Sequence, residues 1–177
     1  MGSDDNALSV LGSKTSIQIP RGLKGMQSLT FDMQEIYRVL DRTKEVANVN
    51  PSNYGMLVTD FNQVRIQVNR LIGLVDIELR EASNGFNLAK AVASLETVED
   101  FLKSKNLKST ADAREAAVLT DPEVQESLRR KDALVAISEY IKSIREDLDR
   151  AYFSAKQIAE MKATDPHQRK LTGDSNG

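Results

Sequence analysis

From Thr120-Asp121-Pro122-Glu123 to Pro166 the chain carries no further proline, and this stretch constrains the rest. Within it Leu134, Ile137, Ile141, Ile144, Leu148, Ala151, Ala155 and Ile158 recur at alternating steps of three and four. That is a heptad seam, and it predicts one long helix from Asp121 to Asp165 lying along other helices. Glu139, Lys142, Glu146, Asp149, Arg150 and Lys156 occupy its other face as a solvated charge surface. No catalytic device sits on it.

The seam needs partners, and the upstream sequence supplies helices. One is expected from Ser28 to about Val46, with Leu29, Met33, Ile36, Tyr37 and Leu40 on one face. Asn48-Val49-Asn50-Pro51 breaks it, with Asn50 as cap and Pro51 as first residue of a second long helix reaching Ser83. Tyr54, Leu57, Val58, Phe61, Val64, Val68, Leu71, Ile72, Val75, Leu79 and Ala82 form its broad stripe, while Ile66, Leu74 and Ile77 fall on a second face. Asn84-Gly85 reads as its stop. A third segment follows from Phe86 to about Lys105, with Leu88, Val92, Leu95, Val98 and Leu102 inward, and then a short helix from Ala111 to Leu119 capped by Ser109-Thr110. Thr120 and Glu123 have capping-box spacing, with Asp121 as the alternative cap.

Residues 1–26 read as a flexible arm, either a disordered leader or, around Ser16-Ile17-Gln18-Ile19, an extended peptide that adds to a neighbouring surface. Residues 27–165 form a single helical domain and 166–177 a disordered tail. No strand pair stands out. The predicted class is all-α, an elongated helical bundle with two long helices and heptad-like packing, expected to be oligomeric. With 5% aromatic residues and no tryptophan, its core must be aliphatic.

The same composition removes most chemistry. Without cysteine there is no thiolate nucleophile, disulfide or cysteine-bound zinc. The one histidine, His167, falls in the expected tail, which leaves no Ser-His-Asp arrangement or histidine metal site. Gly22-Leu23-Lys24-Gly25 is no phosphate-cradling loop, and Glu96, Glu99 and Asp100 read as a solvated run rather than carboxylate ligands. The expectation is a protein that is not an enzyme and uses no cofactor or metal. An acidic start, Met1-Gly2-Ser3-Asp4-Asp5, and the lack of a long apolar run point to no membrane and a cytoplasmic location.

Two binding features remain. With 24 basic against 26 acidic residues, the chain is not coated in positive charge. Yet Lys103, Lys105, Lys108 and Arg114 form a local basic strip opposed by Asp112 alone, and Arg129-Arg130-Lys131 form a second cluster. Such strips either track the phosphates of a single strand or are solvated linkers. The one aromatic residue near the strip, Phe101, has the helical position of a core residue. The seam from Leu134 to Ile158, narrowing at Ala151 and Ala155, either forms the core of an intrachain bundle or joins subunits. Contacts between subunits are favoured, because the two long helices hold more apolar face than the short elements can cover.

Lys108-Ser109-Thr110-Ala111-Asp112-Ala113-Arg114-Glu115-Ala116-Ala117-Val118 leads through a capped break into the final helix, which ends Ala155-Lys156-Gln157-Ile158-Ala159-Glu160-Met161. Over residues 55–162 this resembles the UvsY-type recombination mediators of tailed phages, with their basic lead-in and their closing helix of A-[IL]-K-x-I-x-x-M form. The resemblance implies a ring-like homo-oligomer that binds single-stranded DNA and loads a RecA-like recombinase past a single-strand-binding protein, in the host cytoplasm if phage-encoded. The family's central DNA-contacting motif falls at Ile77-Glu78-Leu79-Arg80-Glu81, where Glu78 replaces an expected lysine and Arg80 alone carries over. The implied DNA contacts are Arg80, Lys103, Lys105, Lys108 and Arg114. The alternative is a phage structural or scaffolding coiled-coil protein with no nucleic-acid role.

Overall fold

The computed structural model describes residues 16–21 and 27–164. The remainder of the expected arm, with Lys14 and Lys24, and the expected tail, with His167, lie outside the described residues. The chain is predominantly helical: α1 (Gln34–Asp41), a 3-10 segment (Arg42–Asn48), α2 (Tyr54–Glu96), α3 (Val98–Ser104), α4 (Ala111–Thr120) and α5 (Pro122–Thr164). The described residues divide into two compact units, one formed by residues 16–21, 27–32 and 73–139, the other by residues 33–72 and 140–164.

In the first unit the expected helix start at Ser28 gives way to a strand. Gln27–Asp32 (β2) pairs antiparallel with Ser16–Arg21 (β1), setting Ile17 against Phe31 and Ile19 against Leu29. Leu29 and Phe31 alternate with exposed Ser28, Thr30 and Asp32, and Ile17 and Ile19 are buried. This two-residue period competes with the helical spacing of Leu29 and Met33, and pairing with the upstream strand decides it. Pro20 fits because a two-stranded sheet is all edge. The hairpin is the departure from an all-α chain. Arg21 Nε donates to Glu78 Oε1 at 3.0 Å, and Arg130 Nη2 donates to Glu78 Oε2 at 3.2 Å. One buried carboxylate on α2 thus joins β1 to α5.

The expected stop at Asn84-Gly85 is also absent: α2 runs through it to Glu96. An interior glycine costs about 1 kcal/mol relative to alanine, less than the packing of the turns on either side supplies. Because the helix keeps its phase, Leu88, Val92 and Leu95 stay on the outer face and are exposed, contrary to the inward placement expected of a separate helix. Ala93 turns inward instead. It shares a small core with Val98, Leu102, Ala117, Val118 and Val124, against which Phe86, Ala89, Phe101 and Ala113 pack. The chain breaks at Thr97, whose hydroxyl donates to the Ala93 carbonyl at 3.0 Å.

Capping residues act largely as their types predict. Thr110 Oγ1 accepts from the Ala113 N–H at 3.2 Å. Of the two candidate caps for α5, Asp121 takes the role, its Oδ1 accepting from Glu123 and Val124 N–H at 2.9 and 3.3 Å, while the Thr120 hydroxyl donates back to the Ala117 carbonyl. Asn50 Oδ1 accepts from Ser52 and Asn53 N–H, so it caps the turn that leads into α2.

The second unit buries Met33, Ile36, Val39, Val46 and Val49 together with Leu57, Phe61, Val64, Val68 and Leu71 of α2 and Ile141, Ile144, Leu148, Ala151 and Ala155 of α5. Polar links rim this core. Tyr37 and Tyr140 share a hydroxyl hydrogen bond of 2.8 Å, and Arg42 pairs with Asp60. Asp149 pairs with Arg65 at 2.6 Å and with Arg145, and the Arg65 guanidinium lies 4.5 Å from the Tyr152 ring centre. Burial, then the bond to Tyr140, pushes the Tyr37 hydroxyl up to about 12.

The α5 seam is already covered within one chain. Leu134, Ile137, Ile141, Ile144, Leu148, Ala151 and Ala155 are buried and Ile158 is partly so. Seven of the eight residues assigned to subunit contacts therefore have next to no accessible surface to offer a second copy. At these positions the intrachain core is the observed state.

Candidate nucleic-acid interface

The basic strip is shaped by the end of α3. Asn106 adopts a left-handed backbone with φ 53°, a conformation asparagine tolerates better than most residues. The Asn106 N–H donates to the Lys103 carbonyl and the Leu107 N–H to the Leu102 carbonyl, at 3.1 and 3.0 Å. This is the Schellman arrangement, which satisfies the last carbonyls of a helix. It turns the chain sharply, so Lys103, Lys105 and Lys108 are displayed around one corner, all three exposed. Among the described residues no carboxylate pairs with them. Their positive charge also complements the carbonyl end of α3, the ordinary role of lysine at such a site.

Arg114 lies on the first turns of α4 and is committed elsewhere. Its Nη2 pairs with Glu99 Oε1 at 2.5 Å and its Nε donates to Ser109 Oγ at 2.7 Å. The pair ties α4 to α3 and uses up much of the guanidinium's capacity for a phosphate. Arg80 is exposed on α2, sixteen residues before its end, which is about 24 Å of helix. The structure therefore brings three of the five predicted contacts together, sets Arg114 beside them in an ion pair, and leaves Arg80 on a separate part of α2.

Glu78 has a local explanation. In place of the lysine expected from the resemblance stands a buried carboxylate held by Arg21 and Arg130. The same contact dissolves the second predicted basic cluster. Arg130 is 4% exposed at its side chain and bound to Glu78, and Arg129 pairs with Glu126 at 3.6 Å. Lys131 instead reaches over the Phe86 ring, 5.2 Å from its centre, and Lys90 approaches the same ring at 5.6 Å. Phe86 packs against the small core, and the two ammonium groups over its ring are internal cation–π contacts. Sequence reasoning missed them, since Lys131 comes from a helix 45 residues away. A four-residue step from Phe86 to Lys90 was the one available signal. Phe101 is half-buried against the small core, as its helical position implied.

Elsewhere the described residues offer little for chemistry. An open cleft in the second unit is lined by Leu40, Thr43, Val46, Asp147, Arg150, Ala151 and Ser154, and there Asp147 and Arg150 neutralise each other. Among the described residues no group of three or more His, Asp or Glu side chains is placed to hold a metal ion, and no helix is long and apolar enough to cross a membrane. Comparison with family models, with curated proteins and with solved structures finds no match to this chain.

Proposed function

We propose that the protein is a non-enzymatic recombination mediator that binds single-stranded DNA as a homo-oligomer and helps load a RecA-like recombinase past a single-strand-binding protein. One observation supports it most: Lys103, Lys105 and Lys108 stand exposed and without carboxylate partners among the described residues on one corner. The likeness of the lead-in and closing helix to UvsY-type mediators supplies the functional class. The lysines contact phosphates without reading bases, so binding is indifferent to sequence and weakens with salt. Arg80 and Arg114 contribute less, one remote along α2 and the other paired with Glu99.

The test is binding to labelled oligo-dT across a salt series. The wild-type chain binds at low salt, and replacing Lys103, Lys105 and Lys108 with alanine lowers the salt slope by about 2, at about 0.7 per phosphate contact on a single strand. No binding at low salt sinks the reading. An unchanged slope moves the site away from the corner. The second reading, a structural or scaffolding protein without a nucleic-acid role, is favoured by the uncovered apolar face of α2 and gains if oligo-dT does not bind.

A further inference from the structure

α2 carries two apolar faces, and the outer one is left open. In the unit that includes Gly73–Glu139, Leu74, Ile77, Leu88, Val92 and Leu95 are 40, 60, 62, 36 and 85% exposed. With 3.6 residues per turn these five fall within an arc of about 60°. Two exposed apolar clusters on one helix face, Leu74 and Ile77 before the Asn84-Gly85 pair and Leu88, Val92 and Leu95 after it, mark a contact surface.

The order of residues along the stripe says what covers it. Leu74 and Leu95 each lie ten residues from the Asn84-Gly85 pair, and Ile77 and Val92 each lie seven. Reversing the helix about that pair places leucine on leucine and isoleucine on valine. Four of the five residues thus map onto one another under a half-turn, as a twofold contact requires, while Leu88 is matched by Glu81. Charge selects the same direction. Glu81 is exposed on the stripe, and a parallel, in-register pair would set it against its own copy. The antiparallel pair sets Glu81 against Leu88 and holds the two Glu81 side chains about 10 Å apart along the axis. It also gives Asn84-Gly85 a purpose inside an unbroken helix. At the crossing point glycine lets the backbones approach, and the two Asn84 amides can bond to each other, as buried polar residues do when they set register.

We propose that the outer face of α2 is a self-association surface on which a second copy of this chain docks antiparallel, with the twofold axis at Asn84-Gly85. This deepens the oligomeric part of the functional reading and is independent of DNA binding, because the test reads mass and crosslinks with no nucleic acid present. Since the chain has no cysteine, single-cysteine variants of the full chain report without background. Sedimentation of the wild type at micromolar concentration gives a dimer or a multiple of it. Asn84→Cys oxidises to a disulfide with its own copy. Leu74→Cys and Leu95→Cys form none alone, as identical positions lie about 30 Å apart, but an equal mixture forms the mixed disulfide. The double variant Leu88→Glu, Leu95→Glu halves the sedimenting mass at unchanged helical circular dichroism. A monomer at every concentration overturns the proposal. So does a Leu74→Cys chain that crosslinks to itself, a mixture that does not crosslink, or a double-glutamate variant that keeps the wild-type mass.

Discussion

α2 and α5 are each 43 residues long, and both carry an apolar stripe along much of their length. They end in different states. The seam of α5 is buried along almost its whole length, whereas α2 buries one stripe through Leu71 and Val75 and leaves Leu74, Ile77, Leu88, Val92 and Leu95 open. Periodicity reveals which residues share a face. It does not reveal whether the neighbour that covers the face belongs to the same chain.

The largest effect expected at this contrast is at the inward side of α2. Glu78→Ala removes the buried carboxylate that Arg21 and Arg130 share and the polar link between β1 and α2, with a loss of about 3–5 kcal/mol, read as a lower urea midpoint. If stability is unchanged, the triad is not what fastens the hairpin. Next come paired truncations that test the two faces directly. Leu148→Ala, at a residue with no exposure, costs about 2–5 kcal/mol. Leu95→Ala, at 85% exposure, changes the stability of the single chain by no more than about 0.5 kcal/mol. Measured at a concentration low enough to keep the chain monomeric, equal losses would erase the distinction between the helices.

A separate effect concerns pH. The Tyr37 hydroxyl is raised from 10.0 to about 12, so the folded state favours its neutral form. The contribution is complete below pH 10, where the unfolded tyrosine is also protonated, and is lost as pH climbs from about 10 toward 12. Urea midpoints across that window should fall less steeply in Tyr37→Phe than in the wild type. Parallel slopes would place the hydroxyl outside the packed state.

Much of the helical frame was readable from local chemistry. Thr110 and Asp121 announced the starts of α4 and α5, and the seam announced that α5 is long and packed on one side. The basic corner was visible as Lys103, Lys105 and Lys108 because its residues are neighbours in sequence. Arg114 and Arg130 were counted with the basic residues for the same reason, but their acceptors, Glu99 and Glu78, lie 15 and 52 residues away. Charge alone does not distinguish a guanidinium free for phosphate from one already bound.

Residue type, capping and periodicity act within a few turns, and they suffice for a predominantly helical, aliphatic chain with two long amphipathic helices. Tertiary structure alone decided the hairpin, the run of α2 through Asn84-Gly85, the buried Glu78 triad and the difference between the two seams. Each depends on a partner distant in sequence. Strand pairing, burial of a charge and the covering of an apolar stripe all gain their free energy from contacts that no local window contains.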